Sequence, residues 1–339
     1  MRTGALSTVS FLHSTACWKE IIICIRRVRP WPWARAARFN WDNRYAARAT
    51  QAILTLLTET RVDAKQGSRF TILPSVIVNR LGAAGLTVAA IHELPAPQKD
   101  LLDQGEQFCV FIRRCQEKNG ALRFSDNVHH KEGINEYPGQ ALYGLLLSQR
   151  HRPAKWKSDL AFHALPYYRS WWRENKNMDF VAWQSLAFTE AYLQTGNKEF
   201  ADFVFEMNDW LVRLQYPPLD PRRPLWGGGF KSWSEGKEVE TAPDIRSALY
   251  AESLAAAWRA AGRAGDLKRH QNYGEALQHC LQFLSRLQYT EANTQHFADW
   301  YRPRLLGAFH GSLEDGNIRV DYTQHAVYAM LLYLEGAVR

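Results

Sequence analysis

The sequence is most informative first in what it lacks. No apolar run approaches the ~18–20 residues that cross a bilayer, and the longest apolar cluster near the start is Ile21 to Ile25, so no membrane-spanning helix is expected. Five cysteines (Cys17, Cys24, Cys109, Cys115, Cys280) form no CxxC pair, which argues against a structural zinc site and against a disulfide framework. Cys115 and Cys280 fall on apolar helical positions, where a thiol acts as a small hydrophobe, and this usage fits a reducing, cytoplasmic compartment. There is no HExxH, nucleophile elbow or P-loop, and Gly82-Ala-Ala-Gly85 lacks the first Gly-x-Gly of a dinucleotide fingerprint. Neither a metal nor a cofactor is expected.

A basic face is also missing from most of the chain. The formal net charge is +8, but nine basic and only two acidic residues lie in residues 1–48. The remaining 291 residues are balanced, 33 basic against 32 acidic, so the body carries no footprint for nucleic acid. The Arg-rich start lacks the apolar stretch and small-residue cleavage site of a secretory signal. It reads as a disordered extension over 1–41, with the folded domain over 42–339.

What is present is ordinary for a globular protein: 339 residues, 46% hydrophobic and 22% charged. Apolar residues recur at helical spacing. Phe200, Phe203, Val204, Met207, Trp210, Leu211 and Leu214 form one stripe; Leu277, Cys280, Leu281, Leu284 and Leu287 form another; Phe108, Phe111, Ile112 and Cys115 a third. These three helices end alike, in Phe111-Ile-Arg-Arg-Cys-Gln116, Trp210-Leu-Val-Arg-Leu-Gln215 and Phe283-Leu-Ser-Arg-Leu-Gln288. Each ending is followed by a glycine with an apolar residue two positions on: Gly120-Ala-Leu122, Gly228-Gly-Phe230 and Gly307-Ala-Phe309. A two-part pattern used three times marks a repeated supersecondary unit.

Between these helices, 138–149, 180–194, 245–261 and 322–335 read as partner helices, with short breaks on one side and long Gly-containing loops on the other. Residues 49–60 read as a helix, whereas 70–78 and 85–91 read equally as strands or helix pieces. The fold class is therefore all-α, an (α/α) toroid or partial barrel of helical hairpins with a less regular N-terminal segment.

This grammar resembles the six-hairpin glycosidase-like α/α toroids, which include the N-acylglucosamine 2-epimerase-like and uronyl-hydrolase-like enzymes. The stretch Phe188-Thr-Glu-Ala-Tyr-Leu-Gln-Thr-Gly-Asn-Lys-Glu-Phe-Ala201 looks like the turn from inner to outer helix in that group, and Gly227-Gly-Gly-Phe230 and Gly307-Ala-Phe309 look like its loop glycines. The resemblance covers roughly residues 100–337 and is one of architecture. Gln116-Glu-Lys-Asn-Gly120 also resembles the repeat of terpenoid-cyclase and prenyltransferase toroids, but their Asp-x-Asp-Asp motif is absent.

In a ring of hairpins, the loops leading into the inner helices build one open end, and polar residues collect in those loops. One holds Asp126, His129, His130, Glu132 and Glu136; the next ends in Asp179, followed by Trp183 and Gln184. Another holds Lys231, Trp233, Asp244 and Arg246, and the last holds Trp300, Arg319, Asp321 and, one turn on, His325. Carboxylates, histidines and tryptophans suit a sugar: indoles stack on pyranose faces, and carboxylate pairs serve as acid and base. Asp244 and Asp321 are the expected acid/base pair with His325 beside them. Glu136, Asp179, Trp183, Trp233, Arg246, Trp300 and Arg319 are the expected substrate contacts. Against these stand plainer readings: Asp179, Asp244 and Asp321 as N-caps, His325 as a surface partner of Asp321, and Glu190 as either a structural or a catalytic carboxylate. The expected function is a hydrolase, lyase or epimerase acting on an oligo- or polysaccharide, with or without uronates. The alternatives are a non-catalytic toroid binding a glycan or protein, and an isoprenoid-handling toroid.

Overall fold

A computed structural model describes residues 30–74, 78–125 and 132–337. Most of these residues lie in helices: α1 (Trp31–Asn40), α2 (Asn43–Thr58), α3 (Arg80–Glu93), α4 (Lys99–Arg114), α5 (Tyr137–Ser148), α6 (Lys155–Glu174), α7 (Met178–Thr195), α8 (Lys198–Val212), α9 (Ser247–Ala264), α10 (Leu267–Arg286), the single turn α11 (Arg302–Leu305) and α12 (Val320–Ala337). Two small antiparallel hairpins interrupt them. β1 (Thr60–Asp63) pairs with β2 (Ser68–Thr71) from Thr60↔Thr71, and β3 (Ser232–Ser234) pairs with β4 (Lys237–Val239) from Ser232↔Val239.

Burial separates two layers. Helices α2, α4, α8 and α10 are amphipathic and bury one stripe, as in Phe200, Phe203, Val204, Met207 and Leu211 of α8. Helices α5 and α7 are buried on nearly every side, because an inner helix is surrounded by others. The inner helices pack in the cyclic order α1, α3, α5, α7, α9, α12 and back to α1, so six of them close a ring. The fold is an all-α (α/α) toroid. Short connections join the C-terminal ends of inner helices to the outer ones, and longer loops enter the N-terminal ends of α3, α5, α9 and α12, whereas α7 follows α6 after three residues.

The repeated Gln and Gly explain each other. Gln116, Gln215 and Gln288 form isolated β-bridges to Leu122, Phe230 and Phe309. Their side-chain amides donate to the carbonyls of Gly120 (3.4 Å), Gly228 (2.9 Å) and Gly307 (3.3 Å). Gln116 also donates to Leu160 O and Gln215 to Ala276 O, clipping each loop to the next outer helix. All three glycines have φ near +90°, and a Cβ on Gly228 would lie 2.0 Å from His279 O, so no larger residue fits that contact. Inner helices α3 and α5 also cross at glycines: a Cβ on Gly144 would lie 2.0 Å from Gly85 O.

Of the two readings of residues 85–91, the helical one holds: they belong to inner helix α3. Alanine and glycine at the α3/α5 crossing allow close approach, and this small-residue run hides the helical period. The last part of the extension expected over 1–41 is corrected: Trp31–Asn40 is a ring helix with Trp31 and Arg35 buried. The Arg-rich composition misled because Arg35 is neutralised inside the ring by Glu93 and Glu335, which lie far along the chain. The rest of that segment, residues 1–29 with Cys17 and Cys24, lies outside the described residues.

Candidate active site

The N-terminal ends of the inner helices form a polar rim. Between α7, α9 and the β3/β4 hairpin lies a cavity of about 90 Å³, lined by Asp179, Lys231, Trp233, Asp244, Arg246 and Tyr250 among others. Asp244 enters it through a bridge to Ser312, accepts from Arg246 N (2.9 Å) and pairs with the Arg246 guanidinium (3.0 Å). Burial works against the Arg246 charge, but Asp244 outweighs it and the guanidinium is held upward. Tyr250 is buried and donates to Asp179 Oδ1 at 3.2 Å. Burial first, and Asp179 second, push that phenol well above its ordinary range, so it stays a hydrogen-bond donor.

None of the expected capping roles holds for α7 or α9. Asn177, not Asp179, caps α7 by accepting from Asp179 N and Phe180 N, and Asp244, three residues before α9, accepts from Arg246 N ahead of the helix. Asp321 lies in the first turn of α12 and is gripped by Arg319 through two bonds, 3.0 and 2.9 Å. Neither residue lines the rim cavity, so Asp244 and Asp321 do not share it. Trp300 is 72% exposed with Arg304 over its ring, and it too stands outside the cavity. Glu136 stands half-buried just before α5, making no side-chain cap. Asp126, His129 and His130, with the Glu132 side chain, fall outside the described residues.

One turn inside the rim, the ring interior holds a different constellation. His325 does not pair with Asp321 on its own helix. Its Nδ1 meets Glu252 Oε1 of α9 at 2.8 Å, and Glu252 is fully buried. A carboxylate accepts only, so Nδ1 carries a proton, and in the neutral ring Nε2 is then the acceptor. The indoles of Trp183 and Trp31 stand edge-on to the imidazole at 6.3 and 6.4 Å between centroids.

Beneath lies a buried ionic cluster to which all six inner helices contribute. Arg35 Nη1 donates to Glu93 Oε1 (3.1 Å) and to the Tyr328 hydroxyl (3.0 Å), and its Nη2 pairs closely with Glu335. Tyr143 and Tyr328 share a hydroxyl contact. Arg150, just past α5, and Arg259 of α9 both reach Glu190 Oε1, at 3.2 and 3.3 Å. Burial would raise the Glu190 carboxyl, yet Arg150 and Arg259 hold it at about 2. Of the two readings of Glu190, the ion-paired structural one is what the contacts describe.

Sequence reasoning missed Glu252, Trp31 and Arg35. A signal existed for Glu252: it is the one carboxylate of an apolar, Ala-rich helix. None existed for Trp31, whose partners are about 150 and 290 residues away along the chain.

No family model and no curated protein matches this sequence. Among solved structures the fold is similar to one titled as a crystal structure of D-mannose isomerase. The TM-score is 0.61 at 13% identity, covering 88% of this chain and 83% of that one. At that identity the likeness is one of fold.

Proposed function

We propose that this chain is a carbohydrate-active enzyme of the isomerase or epimerase type, working on a sugar held at the rim and interior of the ring. The observation that carries this reading is the His325–Glu252 pair, set among indoles one turn below the rim. Isomerising or epimerising a sugar moves a proton on a carbon next to a carbonyl. That step calls for a base held in one orientation beside the reacting carbon, and a histidine bonded through Nδ1 to a carboxylate meets this need. His325 Nε2 would take and return the proton. Asp179, Tyr250, Arg246 and Trp233 would hold hydroxyls and one ring face. The similarity of fold to a D-mannose isomerase agrees with this assignment but does not carry it.

A second reading, hydrolysis or elimination on a polysaccharide, is favoured by Asp179, Asp244 and Trp233 sharing the rim cavity. It draws less support, because Asp244 and Asp321 are each committed to an arginine two residues away rather than placed across one cavity.

The two readings separate in one experiment. The protein is incubated in D2O with free aldoses and ketoses and with neutral and uronate oligosaccharides, and products are read by mass spectrometry and NMR. Isomerisation or epimerisation leaves molecular formula unchanged apart from deuterium gained next to the carbonyl, and His325→Asn lowers kcat by about 10²–10⁴. Chain cleavage, or full activity in His325→Asn, overturns the proposal.

A further inference from the structure

We propose that Trp31 is a positioning residue that aims the His325 imidazole, and that the buried Arg35 cluster sets Trp31 in place. This rests on the reading of His325 as the proton-transfer group.

The bond to Glu252 fixes one nitrogen of His325 but leaves the ring free to rock about that bond. Two indoles restrain it. Trp31 meets the imidazole at 62° between planes and Trp183 at 72°, and the indoles themselves stand 5.8 Å apart at 71°. Three rings in mutual edge-to-face contact leave one orientation for the smallest, and Nε2 then points one way.

The two indoles are held differently. Trp183 lies one turn inside α7, where the backbone of Gly139 on α5 closes so tightly that a Cβ would come within 2.5 Å of Trp183 Cβ. Trp31 is the first residue of α1, where a helix has the fewest bonds of its own. Its Nε1 is buried without a hydrogen-bond partner among the described residues, so ring packing is what places it there. That packing is against Tyr328, ring to ring at 3.7 Å and nearly perpendicular. Arg35, one turn along α1, bonds the hydroxyl of the same Tyr328 and pairs with Glu93 and Glu335. Helix α12 therefore presents His325 and Tyr328, and α1 presents Trp31 and Arg35, so the two helices are keyed at two levels. Buried ion pairs seldom add more stability than apolar packing of the same volume. What this one adds is a fixed register between α1 and the helix that carries His325.

The experiment compares wild type with Trp31→Phe and Arg35→Met, using Trp41→Phe, at the exposed far end of α1, as control. Long-range ¹H–¹⁵N spectra, with His325 assigned by loss in His325→Asn, report tautomer and ring mobility. Wild type and the control should show a single, sharp Nδ1–H tautomer. Folded Trp31→Phe and Arg35→Met should show a broadened signal or mixed tautomers, with kcat on any substrate found for wild type lowered tenfold or more and KM changed less than threefold. An unchanged His325 signal in either folded variant overturns the proposal. If neither variant folds, contact between Trp31 and His325 ring protons in wild type, read by nuclear Overhauser effect, upholds it, and absence of that contact overturns it. Full activity in His325→Asn would remove the functional reading, whereas the spectra judge the positioning separately.

Discussion

The two ends of the ring use charge in opposite ways. At the rim, Arg246 pairs with Asp244 and Arg319 with Asp321, partners two residues apart and largely open to solvent. At the base, Arg35 reaches Glu93 and Glu335, and Arg150 and Arg259 reach Glu190, across helices and mostly out of water. A local exposed pair is cheap to rearrange, so its groups are free to turn to a ligand. A buried network between distant elements resists rearrangement, because losing one member strands the others without water. The rim is suited to binding and the base to holding geometry.

This contrast can be broken at several points. The largest effect is expected from Glu190→Ala, which removes the buried carboxylate that Arg150 and Arg259 share from either side. Urea unfolding should show a loss of about 3–5 kcal/mol. A loss below about 1 kcal/mol would mean that the base behaves like a surface. Gly144→Ala attacks the same end through packing, since its methyl would meet Gly85 O and part α3 from α5. The expected cost is about 1–3 kcal/mol, read from the same curves.

Acid should loosen the base in two stages. His92 is buried against His151, and burial first, then the charges of His151, Lys157, Arg150 and Arg152, bring it from 6.5 to about 3. Its unfolded form binds a proton that its folded form refuses, so stability is full above pH 6.5 and falls as pH drops below it. Glu190, depressed from 4.5 to about 2, adds a second loss between those values, because the unfolded carboxyl takes up its proton first. Melting temperature should therefore decline from pH 6.5 and more steeply below 4.5. His92→Phe should flatten the first stage only, and an unaltered slope in that variant would refute the assignment.

The smallest stability effect belongs to the rim. Arg246→Ala and Arg319→Ala should each change stability by about 0–1 kcal/mol. Under the functional reading, Arg246→Ala should nonetheless raise KM for a sugar. A rim variant that unfolds the protein would erase the distinction between the two ends.

Much of the architecture was legible in sequence because its causes are local. The stripe on α8, the three Gln–Gly pairs and the turn at Gly196 depend on residues within a few turns or one loop of each other. The candidate site was legible only in part. Asp179, Trp233, Asp244 and Arg246 were named and do meet in one cavity, since all sit in loops or first turns at the same end of the inner helices. Trp300 and Asp321 were named on the same reasoning and lie elsewhere, because membership of a loop does not say which way it folds. His325 was named with the wrong partner: helical spacing offered Asp321, whereas Glu252 on another helix is the partner found.

The sequence alone determined the amphipathic outer helices and the glycines of the repeated loops, because each follows from side-chain period or backbone freedom within a short stretch. Tertiary structure alone decided that an Arg-rich N-terminal segment becomes a ring helix, that Arg35 finds acids 58 and 300 residues away, and that Trp31, Trp183, Glu252 and His325 converge. Those outcomes depend on the ring closing. Closure brings together residues with no relation along the chain, and only there does burial turn a solvated charge or a lone aromatic into part of a site.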